Sequence, residues 1–313
     1  DKRLDKLADL VEQNEGKRPP IVYASIEFID IAGLVAGASK GEGLGNQFLA
    51  NIREADMIIQ VVRDFADPDI VREHSKNPDV DTDIINSELI IKDIESLEKR
   101  IKSLGKDPKK VKEMEILDSY MKHLDKGGFA HDLRSTLVPK DYQEIIHPLF
   151  LLTDKEMIYV FNVAETDERL KSNEPSEYKG RSVVYVSAKI EFELASLSLE
   201  DQLMYLSDMG ISESGLDKIS RSCFNKLGLI TFFTAGIIEV RAWQIKSGST
   251  AQKASAAIHT DFEKNFIKAE VVGYEDYITH GSKHKAKEAG KLKLEGKEYI
   301  VKDADVIEFK IGA

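Results

Sequence analysis

The sequence contains very little cysteine, with Cys223 the only one in 313 residues. A single thiol excludes an internal disulfide and is typical of proteins from a reducing compartment. Long apolar runs are also lacking, since no stretch approaches the ~20 residues that a membrane-spanning helix needs. No secretory or transit segment is visible. We therefore expect a cytoplasmic protein without membrane contact.

Two kinds of binding motif are missing as well. No cluster of His, Cys and carboxylate residues has the spacing of a metal site. No G-x-x-x-x-G-K-[ST] phosphate loop occurs: the segment Gly37–Gly45 contains Lys40, but Gly41 follows it instead of Ser or Thr. That loop supplies backbone N–H groups, a lysine and a magnesium-binding hydroxyl, so these residues alone are not expected to hold a triphosphate well.

The charge is acidic overall but unevenly distributed. The net charge is −11, yet residues 231–313 carry 13 Lys and Arg against 12 Asp and Glu, so the acidic excess lies entirely in residues 1–230. This argues against general coating of nucleic acid, and we expect no DNA partner. The basic residues of the tail are either a solvated surface or an RNA-facing patch. The candidates are Lys283, Lys285, Lys287, Lys291 and Lys293.

The order of apolar runs predicts a doubly wound α/β sheet followed by a smaller α+β unit. Short β-branched runs predict buried strands, and helical segments alternate with them as far as Leu227. The predicted strands are Ile21–Ile29, Asp56–Arg63, Met157–Phe161 and Ser182–Val186. Beyond Ile230, strands surround one short helix as in a β-grasp domain. These strands are Glu239–Ile245, Ile267–Val272, a hairpin at Leu292–Val301, and Val306–Ile311.

Residues 84–126 have a different pattern. Apolar residues at helical spacing form two stripes, separated by a break at Gly105–Pro108. Two charged amphipathic helices joined by a tight turn predict an antiparallel helical hairpin. The pattern leaves open whether it is a structural insertion or an arm that binds a partner.

The first predicted strand ends in Asp30-Ile31-Ala32-Gly33, followed by a glycine-rich segment. In phosphate-binding switch proteins such an Asp reaches toward Mg²⁺, and the Gly lends its backbone N–H to the γ-phosphate. The motif is common, so an ordinary strand that ends in a turn is the alternative.

Two later strands also end in polar signatures. Asn162-Val163-Ala164-Glu165 follows one strand and Ser187-Ala188-Lys189 follows the next. Ligands of open α/β sheets bind at the carboxyl ends of the strands. With Asp30 and Gly33, these segments match in order the γ-phosphate, base-reading and base-supporting loops of P-loop switch NTPases.

At this point the chain resembles the Obg-like ATPases, the YchF subfamily of the Obg-type P-loop GTPases in the TRAFAC class. The segment F-I-D-I-A-G-L-V-A-G-A-S-K-G-E-G-L-G-N-Q-F-L is similar to the family's switch II, and the helical hairpin falls where the family inserts a coiled coil. Gly228–Trp243 and Ala256–Val271 resemble its C-terminal TGS domain.

The resemblance implies a division into domains and a set of binding residues. Residues 1–83 and 139–229 would form the G domain, 84–138 the coiled-coil insertion and 230–313 the TGS domain, with the phosphate loop upstream of Asp1. Asp30 would act on Mg²⁺ through water, and Gly33 on the γ-phosphate. The residues implied at the base are Asn162, Val163 and Glu165, with Ser187, Ala188 and Lys189 supporting them. The implied partner is the ribosome or ribosomal RNA, contacted by the TGS domain and the hairpin.

Two departures from ordinary GTPases point to slow hydrolysis of ATP. GTPases read guanine with Asn-Lys-x-Asp, but here Val163 replaces the Lys and the longer Glu165 replaces the Asp. A site without the matching hydrogen-bond partners loses discrimination by orders of magnitude, so we expect ATP in preference to GTP. Leu34 stands where Ras-like proteins orient water with Gln, so no catalytic group is identified. The alternatives are an ordinary GTPase and an RNA-binding adaptor with an inactive nucleotide site.

Overall fold

The computed structural model describes residues 1–30, 52, 54–66, 77–105 and 107–312. The chain forms two compact units. We call Asp1–Glu27 with Phe224–Ala313 the terminal unit, and Phe28–Cys223 the central unit. This division differs from the predicted one, which joined residues 1–83 to 139–229. Within the described residues, no helix combines the length and the apolar character needed to span a membrane.

The described elements are numbered in chain order. The strands are β1 (Ile21–Val22), β2 (Met57–Asp64), β3 (Glu156–Val163), β4 (Ser176–Tyr178), β5 (Arg181–Val186), β6 (Leu229–Ala235), β7 (Val240–Lys246), β8 (Phe266–Gly273), β9 (Lys293–Glu295) and β10 (Asp305–Ile311). The helices are α1 (Arg3–Glu15), α2 (Pro78–Leu104), α3 (Val111–Leu124), α4 (Ala188–Leu194), α5 (Leu199–Asp208), α6 (Gly215–Lys226), α7 (Ala251–Ser255), α8 (Thr260–Lys264), α9 (Tyr274–His280) and α10 (Lys283–Glu288). Short helical turns occupy Pro108–Lys110, Ala130–Thr136, Pro139–Asp141, Tyr142–Ile146, His147–Leu149, Leu152–Asp154 and Glu168–Lys171.

The central unit contains a sheet of order β2-β3-β5-β4. The first three strands are parallel, and β4 pairs antiparallel with β5. Ile158, Tyr159 and Val160 of β3 are buried, as expected for a strand covered on both faces. The predicted α/β sheet is confirmed, and it places the ends of β3 and β5 next to each other.

The helical hairpin is present, but it begins earlier than predicted. The side chain of Asn77 accepts a hydrogen bond from the backbone N–H of Val80 at 2.9 Å, and Pro78 occupies the first helical position. An Asn followed by Pro is a helix start, so the first helix of the hairpin begins at Pro78 and not at residue 84. Leu97 of α2 and Leu117 of α3 are fully buried in one core cluster.

The terminal unit contains a mixed sheet of order β1-β7-β6-β10-β8-β9. The helix α1 belongs to this unit. Its residues Leu4, Leu7 and Ala8 are fully buried in a cluster with Phe233 and Val240 of the sheet. Regular spacing along α1 puts these side chains on one face, which explains why the helix packs there.

One predicted strand is shorter than expected, and one predicted hairpin is absent. The strand predicted at Ile21–Ile29 covers only Ile21–Val22, which pairs in parallel with β7, and Phe28 and Ile29 are 50% and 51% exposed. The hairpin predicted at Leu292–Val301 does not form, since β9 pairs with β8 and Ile300 bridges Thr250. In both cases apolar composition predicts an extended backbone, but the partner strand is set by distant residues.

Candidate functional site

The candidate site is built on the carboxyl ends of β3 and β5. In the register of the sheet, Asn162 of β3 lies opposite Val186 of β5 on one side and Arg63 of β2 on the other. The chain then leaves β5 through the buried residue Ser187 and enters α4. The tertiary structure therefore brings together the two segments, separated in the sequence, that were predicted to read and to support the base.

The side chain of Asn162 is fixed by a backbone N–H group at the start of α4. Its Oδ1 accepts a hydrogen bond from the N–H of Ala188 at 2.9 Å. An amide has one oxygen acceptor and two N–H donors, so this bond leaves the Nδ2 group of Asn162 to donate to a ligand. The next residue, Val163, is buried in the hydrophobic core, so its contribution to the predicted base site is limited to its backbone.

Glu165, in the loop after β3, forms an ion pair with Lys189 in the first turn of α4. The Glu165 side chain is 34% exposed and the Lys189 side chain 68% exposed. The hydrogen bond to Glu165 raises the pKa of Lys189 above its ordinary value, so the lysine is charged at neutral pH. The carboxylate that replaces the guanine-reading Asp is therefore already paired with a cation.

Arg169 was not identified from the sequence, although it links the segment after β3, predicted to read the base, to the end of β2. Its guanidinium lies 2.6 Å from the carboxylate of Asp167 and 2.8 Å from that of Asp64 at the end of β2, and 4.7 Å from the ring centroid of Tyr185 in β5. The hydrogen bond from Arg169 lowers the pKa of Asp167. The spacing of Asp167 and Arg169 could have suggested their ion pair from the sequence. The contacts of Arg169 with β2 and β5, in contrast, depend on the sheet.

The predicted phosphate side of the site is only partly described. Asp30 is exposed, whereas Gly33 and Leu34 lie outside the described residues. Among the described residues, no group of three or more His, Cys, Asp or Glu side chains is placed to hold a metal ion. A single carboxylate is compatible with Mg²⁺ that keeps most of its water ligands and is held mainly by phosphates, but it is not a protein-only metal site.

The basic residues of the tail have two kinds of environment. Lys283 pairs with Glu270 and Glu308, and its N–H groups are therefore engaged within the protein. Lys291 lies 3.2 Å from the carboxylate of Asp276. The remaining predicted RNA-binding residues, Lys285, Lys287 and Lys293, are exposed.

The comparison with known proteins covers almost the whole chain. A protein named ribosome-binding ATPase YchF from Haemophilus ducreyi is 45% identical over 99% of this chain and 86% of its own length. The chain belongs to the YchF family. The Bacillus subtilis member, with the same name, is 44% identical over the same shares.

Family models and a solved structure agree with this assignment. Residues 229–312 match the YchF-GTPase_C family, described as a protein of unknown function, and residues 11–111 match the 50S ribosome-binding GTPase family. The structure of the Schizosaccharomyces pombe YchF GTPase superimposes with a TM-score of 0.77 at 33% identity, covering 99% of this chain and 85% of the other. The fold is therefore that of a P-loop GTPase domain with a YchF C-terminal domain, as the YchF resemblance implied.

Proposed function

We propose that this chain is a nucleotide-dependent switch that binds ATP in preference to GTP, hydrolyses it slowly and acts on the ribosome in the cytoplasm. The YchF relatives at 44% and 45% identity carry the name ribosome-binding ATPase. Their names support ATP as the nucleotide and the ribosome as the partner.

The observation that carries the proposal is the hydrogen bond from the Ala188 N–H to Asn162 Oδ1. It engages Oδ1 and leaves the Nδ2 group of Asn162 to donate, and the N7 of a purine bound at the carboxyl ends of the strands can accept this hydrogen bond. N7 occurs in both adenine and guanine, so Asn162 orients a purine without selecting one. Selection between the bases is left to Glu165 and the residues around it.

The proposal extends to the phosphates through residues that the YchF resemblance supplies. Asp30 would act on Mg²⁺ through water, and Gly33 would contact the γ-phosphate. When bound, Mg²⁺ neutralises charge on the phosphates. Leu34 has no polar atom with which to orient water, so hydrolysis is slow.

We further propose that the terminal unit takes part in ribosome contact. The exposed lysines Lys285, Lys287 and Lys293 are suited to bind phosphates of RNA, and such contacts are salt-sensitive. Lys283 is less suited, because two carboxylates already hold it. The helical insertion predicted at residues 84–138, extended at its start to Pro78, and the TGS domain at residues 230–313 are part of this proposal.

A second candidate is an ordinary GTPase, which is favoured by the name YchF GTPase of the Schizosaccharomyces pombe protein. Equilibrium binding of fluorescent ATP and GTP analogues distinguishes the two. The protein to use is this chain extended at Asp1 by the phosphate-loop segment that the resemblance places upstream, with the unextended chain as the control.

We expect the extended protein to prefer ATP and the unextended chain to bind neither nucleotide. Equal or tighter binding of GTP would overturn the choice of base. Binding of neither nucleotide, together with salt-sensitive RNA binding, would favour an adaptor with an inactive nucleotide site.

A further inference from the structure

The ion pair between Glu165 and Lys189 has a chemical consequence for the choice of base. We propose that Lys189 is a specificity-determining residue, which disfavours guanine by occupying the carboxylate of Glu165. This inference rests on the proposed function, because it concerns the base site of the same switch. Lys189, in the first turn of α4, pairs with Glu165 in the loop that follows β3.

Guanine recognition requires a carboxylate with both oxygens available. The N1–H and the exocyclic amino group of guanine are adjacent donors, and a carboxylate accepts from both at once. Lys189 is itself a donor, with three N–H groups and no acceptor. While it holds Glu165, one carboxylate oxygen is engaged and a positive group stands near the place where guanine would present its two donors.

Adenine has a different edge. Its N1 is an acceptor and its 6-amino group is a donor, so it needs one donor and one acceptor from the protein. An ammonium and a carboxylate that lie side by side provide one of each. The pair of Lys189 and Glu165 is therefore chemically compatible with adenine, whereas a free Glu165 would suit guanine better.

The backbone donor beside this pair is also engaged. The oxygen at position 6 of guanine needs an N–H donor, but the N–H of Ala188 already donates to Asn162 Oδ1. Guanine would thus meet an engaged carboxylate at one end of its edge and an engaged N–H at the other. The engagement of the carboxylate depends on Lys189.

The pair can be removed with little effect on folding. Lys189 is largely exposed, and exposed ion pairs contribute little to stability. Changes in nucleotide binding by Lys189 variants will therefore report on the site and not on unfolding, which thermal melting of each variant checks.

The test measures dissociation constants for MgATP and MgGTP on the extended protein and its variants. In Lys189→Met we expect the affinity for GTP to rise about tenfold, the effect of one added hydrogen bond to a charged group, while the affinity for ATP stays level or falls. Lys189→Arg should retain the original preference, because it keeps the cation. Lys171→Met removes a lysine that pairs with Glu168 and not with Glu165, and it should leave the preference unchanged.

The double variant Glu165→Gln with Lys189→Met identifies the cause of the gain. We expect no gain in GTP affinity there, because the carboxylate that would accept from guanine is gone. Unchanged or weaker GTP binding by Lys189→Met would overturn the inference, as would a gain that persists in the double variant. Failure of the proposed function would be seen separately, as a starting protein that does not prefer ATP.

Discussion

At the scale of single residues, Asp93 has an unusual environment. It lies on α2 with 1% exposure, and its carboxylate accepts hydrogen bonds from the N–H groups of Leu152 and Thr153, both at 2.7 Å, and from the Thr153 hydroxyl at 2.6 Å. These bonds hold the turn before β3 against α2. Burial raises the pKa of Asp93 to about 6, and nearby Asp154 acts in the same direction, although the hydrogen bonds favour the ionised form.

The raised pKa of Asp93 predicts a pH dependence of stability. The folded state holds the proton more tightly than the unfolded state, so this contribution to stability is complete below the ordinary pKa of 3.8 and is lost as the pH rises through about 6. A shift of about two units corresponds to about 3 kcal/mol. We expect the stability difference between the unmodified protein and Asp93→Asn to shrink by that amount between about pH 4 and pH 7.

Urea unfolding at both pH values measures this difference. Asp118→Asn, at an exposed carboxylate of α3, controls for the loss of one acidic group. A stability difference that grows with pH would contradict the raised pKa of Asp93.

At the scale of elements, the helical hairpin is joined by an ionic contact as well as by its apolar core. Glu113 of α3 has a side chain that is only 9% exposed, and it pairs with Arg100 of α2 and, at 2.9 Å, with Lys110 in the turn. Burial alone would raise the pKa of Glu113, but the hydrogen bonds from Lys110 and Arg100 outweigh it and lower the pKa. The carboxylate therefore fixes the turn between the two helices.

Removal of this carboxylate should destabilise the hairpin. In Glu113→Ala, two cations lose their shared acceptor near the core, and we expect a loss of about 1–2 kcal/mol in the free energy of unfolding. Amide hydrogen exchange of α2 and α3 would locate the effect. Glu144→Ala breaks an exposed pair with Lys140 and should change stability by less than about 0.5 kcal/mol. Equal costs for the two variants would show that Glu113 has no special role.

At the scale of the whole molecule, the terminal unit is assembled from both ends of the chain. The helix α1 packs on the sheet of the C-terminal residues, Arg3 lies 2.9 Å from the carboxylate of Asp303, and Asn14 donates to the carbonyl of Gly281 at 2.7 Å. The segment that follows leads directly to Asp30. The residues before the proposed switch motif are thus part of the terminal unit. The backbone therefore connects the terminal unit directly to the proposed switch motif.

The packing of α1 predicts that its core residues stabilise the terminal unit. Leu7 is fully buried, and Leu7→Ala should cost about 2–5 kcal/mol through lost contacts and the cavity left behind. Faster amide hydrogen exchange in β6 and β7 would show it. Lys6→Ala, at an exposed position of the same helix, should have little effect. Unchanged exchange in β6 and β7 for Leu7→Ala would mean that α1 does not support the sheet.

The sequence by itself determined the features that depend on neighbouring residues. The strands β2, β3 and β5 follow from short β-branched runs, and the two hairpin helices follow from apolar residues at helical spacing. The expectation that β2 is buried is not met among the described residues, where Val61 is 68% exposed. Polar residues at the carboxyl ends of two predicted strands placed Asn162 and Ser187 at the same end of the sheet, because parallel strands run in one direction. The resemblance to the YchF family was also evident from the sequence, because it depends on long runs of neighbouring residues.

Only the tertiary structure decided the features that depend on pairing between distant residues. Local composition does not specify that Val22 pairs with β7, that Arg169 joins Asp64, or that Lys283 is held by Glu270. It does not show that Lys189 engages Glu165 either. A strand partner or an ion pair is fixed by the arrangement of the whole core, so periodicity in one segment carries no record of it.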